Sequence, residues 1–143
     1  MSLSLNVCWA PSLTQKAINQ AEYNNIQINC LTSAIYFEAG NQNISGKMAI
    51  AFVIYNRSKK FNLDYCQVIN QTLNGKRQFK YKTTRILYPE NYNISKTVAS
   101  NLYYNLSQYK DITQGALYFH AVYVHPNWRY KRTVQIQEHI FYK

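Results

Sequence analysis

Acidic residues are scarce in this chain of 143 residues: six Asp and Glu stand against sixteen Lys and Arg, a formal net charge of +10. So few carboxylates leave little for a solvated acidic face, and each becomes a candidate for a specific task. Long apolar runs are also missing. The most apolar stretch, residues 48–55, is far shorter than the roughly 20 residues of a membrane helix, so no stable membrane insertion is expected. Met1-Ser2-Leu3-Ser4-Leu5 lacks the basic segment followed by an apolar one that marks a signal peptide. Cysteine is limited to Cys8, Cys30 and Cys66, at no metal-ligand spacing. An odd count without an export signal makes free thiols the expectation at synthesis, with Cys30 and Cys66 able to pair if oxidised. Neither an internal repeat nor a Pro- or Ser-rich linker interrupts the sequence, so residues 1–143 are expected to form one domain and to act as a monomer.

What is present is a globular composition, 47% hydrophobic, rich in Asn, Tyr, Ile and Lys. That bias also fits an AT-rich genome, which discounts part of the tyrosine excess. The positive charge attracts polyanions: nucleic acid, lipopolysaccharide, acidic wall polymers or an anionic membrane. Charge alone does not choose among them.

The periodicity is helical first and mixed later. Residues 14–23 predict a short helix, and residues 28–39 a second, with Leu31, Ala34, Ile35 and Glu38 on one face. Gly40 suits its end, and Ser45 is a plausible cap for the next helix. Residues 48–54 are apolar on every side, which predicts a buried central helix ending at Asn56-Arg57. Asp64 is placed to cap a further helix reaching Gln71. Over residues 74–93 the pattern fails and the chain turns basic and aromatic, as in a hairpin or long functional loop. Residues 95–109 read as an amphipathic helix with Val98, Leu102 and Leu106 as its stripe. A turn at 111–115 precedes a strand over 116–124, broken by Pro126. Residues 133–136 and 140–142 suit a second strand or a docked segment. The class is α+β, mainly helical, with a small β element.

Of the six carboxylates, Glu38 alone lies in an apolar helix face. The other five, Glu22, Asp64, Glu90, Asp111 and Glu138, sit in polar surroundings. A buried carboxylate without a cation has a raised pKa, as a general acid working near neutral pH requires. The bland alternative is a glutamate that reaches solvent at a helix end or pairs with Arg57.

A set of collinear motifs bears on that choice. Cys30-Leu31-Thr32-Ser33-Ala34-Ile35-Tyr36-Phe37-Glu38-Ala39, then Gly46, then Ala49-Ile50-Ala51-Phe52-Val53-Ile54-Tyr55-Asn56-Arg57 are followed by Cys66-Gln67-Val68-Ile69-Asn70-Gln71 and Gln78-Phe79-Lys80-Tyr81. Gly115-Ala116-Leu117-Tyr118-Phe119-His120-Ala121, Val124, Pro126 and Trp128, and His139-Ile140-Phe141-Tyr142-Lys143 complete them. In this order they resemble the SleB/CwlJ-type cell-wall hydrolases from about residue 30 to residue 143, with residues 1–29 as an N-terminal helical extension. Gly40, Asn41-Gln42-Asn43 and Ser45 depart from the family pattern and remove two carboxylates and a cation near Glu38.

The resemblance implies a lysozyme-like domain, with peptidoglycan as partner and cleavage between N-acetylmuramic acid and N-acetylglucosamine. Ordinary glycosidases use two carboxylates. No second one is evident near Glu38, which favours a lytic transglycosylase, whose single acid/base closes a 1,6-anhydro ring; a hydrolytic muramidase drawing on Asp64, Glu90 or Glu138 is the alternative. Gln78, Phe79, Tyr81, Tyr118, His120, Trp128 and His139 are candidates to bind the sugars, with core packing the competing role for Phe79 and Trp128. No metal or other cofactor is expected, since His120 and His125, five residues apart, would face opposite sides of a strand. The stretch 76–85 would also suit single-stranded nucleic acid, but a binding module leaves Glu38 unexplained, so no nucleic-acid partner is expected. A wall-binding domain without activity is the remaining alternative. A catalytic domain without an export signal resembles a bacteriophage endolysin, made in the host cytoplasm and released to the wall through a holin. Its charge would then favour anionic envelope polymers, so lysis is expected to weaken as salt rises; equal rates of turbidity loss at low and high ionic strength would exclude this steering.

Overall fold

The computed structural model describes residues 12–73, 76–79 and 85–143. Helix α1 spans Leu13–Ala39 as one element of 27 residues, where the periodicity suggested two. Residues 24–27 contain no Gly or Pro to break the backbone, and Gln27 is buried with both ends of its amide engaged. Its Oε1 accepts from the Tyr65 N–H at 2.8 Å, and its Nε2 lies 3.7 Å from Cys66 Sγ. Ser12 caps the helix by accepting from Gln15 N–H. The first turns are solvated, with Gln15–Asn19 and Gln20–Asn24 side-chain pairs one turn apart. The last turns bury Ile28, Leu31, Ala34 and Ile35.

Helix α2, Ile44–Phe61, begins on Asn43 rather than on Ser45: the Asn43 side chain accepts from Gly46 N–H. Its segment from Gly46 to Ile54 is buried on every side and forms the centre of the core. The helix runs past the expected stop at Asn56-Arg57: Arg57 is buried and its two terminal nitrogens donate within the fold, while its Nε has no partner among the described residues. It ends at Asn62, which adopts the left-handed conformation (φ 54°) that Asn tolerates better than most residues. Asp64 caps α3, Tyr65–Ile69, through a reciprocal capping box with Gln67, and the helix stops short of Gln71. A small hairpin, β1 (Thr72–Leu73) with β2 (Lys76–Arg77), follows. Tyr81 lies outside the described residues.

Helix α4, Pro89–Asn105, starts well inside the segment that sequence pattern leaves irregular. Pro89 supplies the preset φ of a first helical residue and Glu90 the negative charge favoured there, two signals that hydrophobic periodicity does not register. A 3-10 turn, Leu106–Gln108, replaces the expected last helical turn. The Asp111 carboxylate then accepts from Thr113 N–H and Oγ1–H, Gly115 N–H and the Asn56 side chain. That fixes a turn in which Gly115 has φ 82°.

Strands β3 (Tyr118–Ala121), β4 (Arg132–Ile136) and β5 (His139–Tyr142) form an antiparallel sheet in the order β3-β5-β4. The two C-terminal segments are thus separate strands, turned at Gln137 (φ 49°). The fold is α+β and mainly helical, as the sequence indicates. No described helix is long and apolar enough to cross a membrane.

Helices α1 and α3 are joined by a Cys30–Cys66 disulfide, Cα–Cα 5.3 Å across a sequence separation of 36. This corrects the expectation of free thiols. Packing of α3 on α1 sets the two side chains face to face, a proximity that spacing in sequence does not reveal; Cys8 lies outside the described residues. Reduction, or Cys66→Ser, is expected to lower the unfolding free energy by about 2–4 kcal/mol. Urea titration with and without reductant measures it, and coincident curves would show that the crosslink constrains nothing.

Candidate active site

Glu38 sits on the last turn of α1, and a buried lysine determines where that turn ends. Lys47, 2% exposed, reaches back from α2 and donates from Nζ to the carbonyls of Ala39 (3.2 Å), Gly40 (2.9 Å) and Gln42 (2.5 Å). These acceptors lie at the negative end of the α1 dipole, so the cation satisfies orphan carbonyls and electrostatics together. Burial lowers the Lys47 pKa. The loop after Glu38 is held from the other side by the β4–β5 turn, where Gln137 Oε1 accepts from Asn43 N–H at 3.0 Å. Gly46 has no side chain because Gln42 and Gln137 occupy that space; a Cβ would collide with both of their Oε1 atoms.

Glu38 itself opens on to a cleft of about 760 Å³. It is half-buried and, among the described residues, has no hydrogen-bond or ion-pair partner. Desolvation raises its pKa from 4.5 to about 7. The alternative pairing with Arg57 is not formed. Arg57 is 2% exposed and donates elsewhere, from one terminal nitrogen to Leu117 O (3.2 Å) and from the other to Gln71 Oε1 (2.6 Å). Its guanidinium also lies over the rings of Phe61, Phe79 and Tyr118.

The structure brings Glu38, Gln78, Phe79, Tyr118, His120, Trp128 and His139 to this one cleft. Phe79, 1% exposed, serves mainly as packing against Phe119. Tyr118, Trp128 and Tyr130 form an aromatic wall, with Tyr118 stacked on Tyr130 at 4.1 Å and Trp128 edge-on to both. Trp128 is 39% exposed, so its ring is offered to the cleft rather than consumed by the core. Tyr130 escapes sequence motif reading, although its place two residues after Trp128 was an available clue.

The histidines take opposite tautomers. His120 Nδ1 lies 2.7 Å from Ala121 O, an acceptor, so Nδ1 carries the hydrogen and Nε2 accepts from Tyr142 O–H at 2.8 Å. For His139, the Gln42 amide donates to Nδ1 at 2.9 Å, which leaves the hydrogen on Nε2. Burial, with His120 nearby, lowers the His139 pKa to about 4, so the ring is neutral at physiological pH and lines the cleft as an N–H donor. Gln42, which no motif singled out, is the residue that sets this tautomer. His125 is exposed and does not line the cleft. Among the described residues no group of three or more His, Cys, Asp or Glu is placed to hold a metal ion.

All six carboxylates fall within the described residues, and Glu38 alone lines the cleft. Asp64 caps α3, Asp111 holds its turn, and Glu22, Glu90 and Glu138 are exposed. The cleft thus combines one carboxylate of raised pKa with an aromatic wall and the neutral Nε2–H of His139.

A family model for cell wall hydrolases matches residues 41–142. The chain belongs to that family, whose chemistry is cleavage of peptidoglycan. The matched span begins just past Glu38, so that residue stands on its geometry. No curated protein and no solved structure matches the chain.

The raised pKa has a consequence for stability. The folded protein binds the Glu38 proton more tightly than the unfolded chain, so this contribution is full below the unfolded value of 4.5 and is lost as pH rises through about 7. Glu38→Gln removes the buried charge. At about pH 8 it is expected to be more stable than the parent by roughly 2 kcal/mol, a figure discounted for the cleft water that reaches the carboxyl. The two proteins should converge toward the unfolded pKa. Denaturation at both pH extremes tests this, and a variant no more stable at the higher pH would show that the ionised carboxylate is not penalised.

Proposed function

We propose that this protein is a lytic transglycosylase that cuts the glycan strand between N-acetylmuramic acid and N-acetylglucosamine, with Glu38 as its single acid/base. The observation that carries the reading is one carboxylate, with its pKa raised to about 7, in a cleft that no other carboxylate lines. In the first step the protonated Glu38 gives its proton to the glycosidic oxygen as the C1–O bond breaks. The carboxylate left behind then takes the proton of the muramoyl 6-hydroxyl while O6 bonds to C1. The strand is cut, a 1,6-anhydro end forms, and Glu38 is protonated again without any water consumed. Tyr118, Trp128 and Tyr130 would stack on sugar faces, whose C–H bonds suit aromatic rings. Gln78 and the Nε2–H of His139 would hold acetamido oxygens. His120, with both nitrogens already engaged, would orient Trp128, whose ring centre lies 5.3 Å away.

A hydrolytic muramidase needs a second carboxylate to hold a water or to form a covalent intermediate. The positions of Asp64, Glu90 and Glu138 away from the cleft weigh against it. The cellular setting we propose is that of an endolysin acting as a monomer on the wall after release through a holin, with the charge of +10 aiding contact with anionic polymers.

Mass spectrometry of released muropeptides distinguishes the reactions, because an anhydro end is one water lighter than a reducing end. Anhydro products are expected, with kcat/KM declining as pH rises through about 7, since the acid must start protonated. Glu38→Gln should lower the rate by about 10²–10⁴-fold. Reducing ends from the parent, or undiminished lysis by the variant, would overturn the mechanism.

A further inference from the structure

A second concavity, of about 250 Å³, shares no residue with the catalytic cleft. Tyr55 and Lys59 of α2 line it, and each stands two positions from the cleft-lining Arg57, about 200° away around the helix. The two sites therefore occupy opposite faces of α2. Four helices each contribute a tyrosine here: Tyr23 from α1, Tyr55 from α2, Tyr65 from α3 and Tyr103 from α4.

These rings are not a closed core. Tyr65 and Tyr103 meet edge to face at 5.9 Å, and the Lys59 ammonium lies 5.6 Å from the centre of the Tyr55 ring. The Tyr103 hydroxyl is bonded to Asn24 Oδ1 at 2.8 Å. Those of Tyr23, Tyr55 and Tyr65 have no hydrogen-bond partner among the described residues. The hydroxyls lie near enough to interact: burial first, then Tyr55, Tyr103 and Tyr23, push the Tyr65 phenol up to about 12. Asp64 commits one oxygen to capping α3, at 2.8 Å from Gln67 N, and keeps the other.

From this arrangement we propose a secondary binding site for one acetylated amino-sugar ring of the glycan strand, separate from the site of cleavage. The rings present flat faces for sugar C–H bonds, while phenolic hydroxyls and the free oxygen of Asp64 exchange hydrogen bonds with ring hydroxyls. A nucleotide would also stack, but its phosphate would meet the Asp64 carboxylate with only Lys59 to offset it, so a neutral ring fits better. A second hold on an insoluble strand raises the effective concentration of the first without any new chemistry. The inference rests on the reading of the glycan as substrate.

Tyr23→Ala, Tyr55→Ala and Lys59→Ala alter this face without entering the catalytic cleft; Tyr23 and Lys59 are exposed, so loss of folding is not expected there. Cleavage of intact sacculi should fall about fivefold to tenfold, while turnover of soluble glycan fragments too short to reach both sites stays unchanged. Equal losses on both substrates would overturn the proposal. Independently, titrating a soluble N-acetylglucosamine oligomer into the Glu38→Gln protein should shift the amide resonances of Tyr65 and Tyr103, and Tyr55→Ala should abolish those shifts alone. Saturation of the catalytic cleft with no shift at these residues would also overturn it. If the parent cut neither substrate, the proposed reaction would fail, while the titration would still report on the second site.

Discussion

One ammonium group holds the end of α1 in place. Lys47 is buried among apolar neighbours, where an unpaired cation would be costly, and it is stable there because three carbonyls converge on it. Those carbonyls belong to the turn that follows Glu38. The same turn carries Gln42, which sets the tautomer of His139, and Asn43, which both caps α2 and bonds to Gln137. The acid, the helix that backs it and the strand that faces it therefore share one short loop. Its geometry is fixed from two sides by hydrogen bonds rather than by carboxylate pairs.

That choice of neutral partners explains the electrostatics of the cleft. Lys47 is spent on carbonyls and Arg57 on Leu117, Gln71 and three aromatic rings, so two buried cations stand near the acid without pairing with it. Desolvation is then unopposed, and the Glu38 pKa rises. A direct Arg57–Glu38 ion pair would have held the carboxylate ionised and unable to donate.

Much of the site was legible in the sequence because aligned motifs marked its residues, and because an acid on an apolar helix face is chemically conspicuous. Tyr118, His120, Trp128 and His139, each named from those motifs, line one cleft with Glu38. The helical core was legible for a different reason: an all-apolar stretch such as residues 48–54 has nowhere to go but inside. What escaped is long-range. The Cys30–Cys66 pair, the hold of Lys47 on α1 and the Gln42–His139 bond each join residues whose meeting depends on how helices pack, which local pattern does not encode. Helix limits erred where polar groups act as structure: Arg57 looked like a surface end, and Pro89-Glu90 looked like a loop. The cap of α2 went to Asn43 over Ser45 because both residue types suit the role and only the local backbone decides.

The order of the sheet carries its own consequence. Strands β3 and β4 share no ladder; each pairs with β5 alone, so neither has a partial sheet to join before β5 arrives. Glu38 and the helices behind it precede all three strands in the chain. During synthesis Glu38 and its helix thus emerge before the strands that complete the cleft. The part of the cleft built on β3 and β5, His139 included, comes last in chain order. Until β5 is made, the cleft is therefore incomplete.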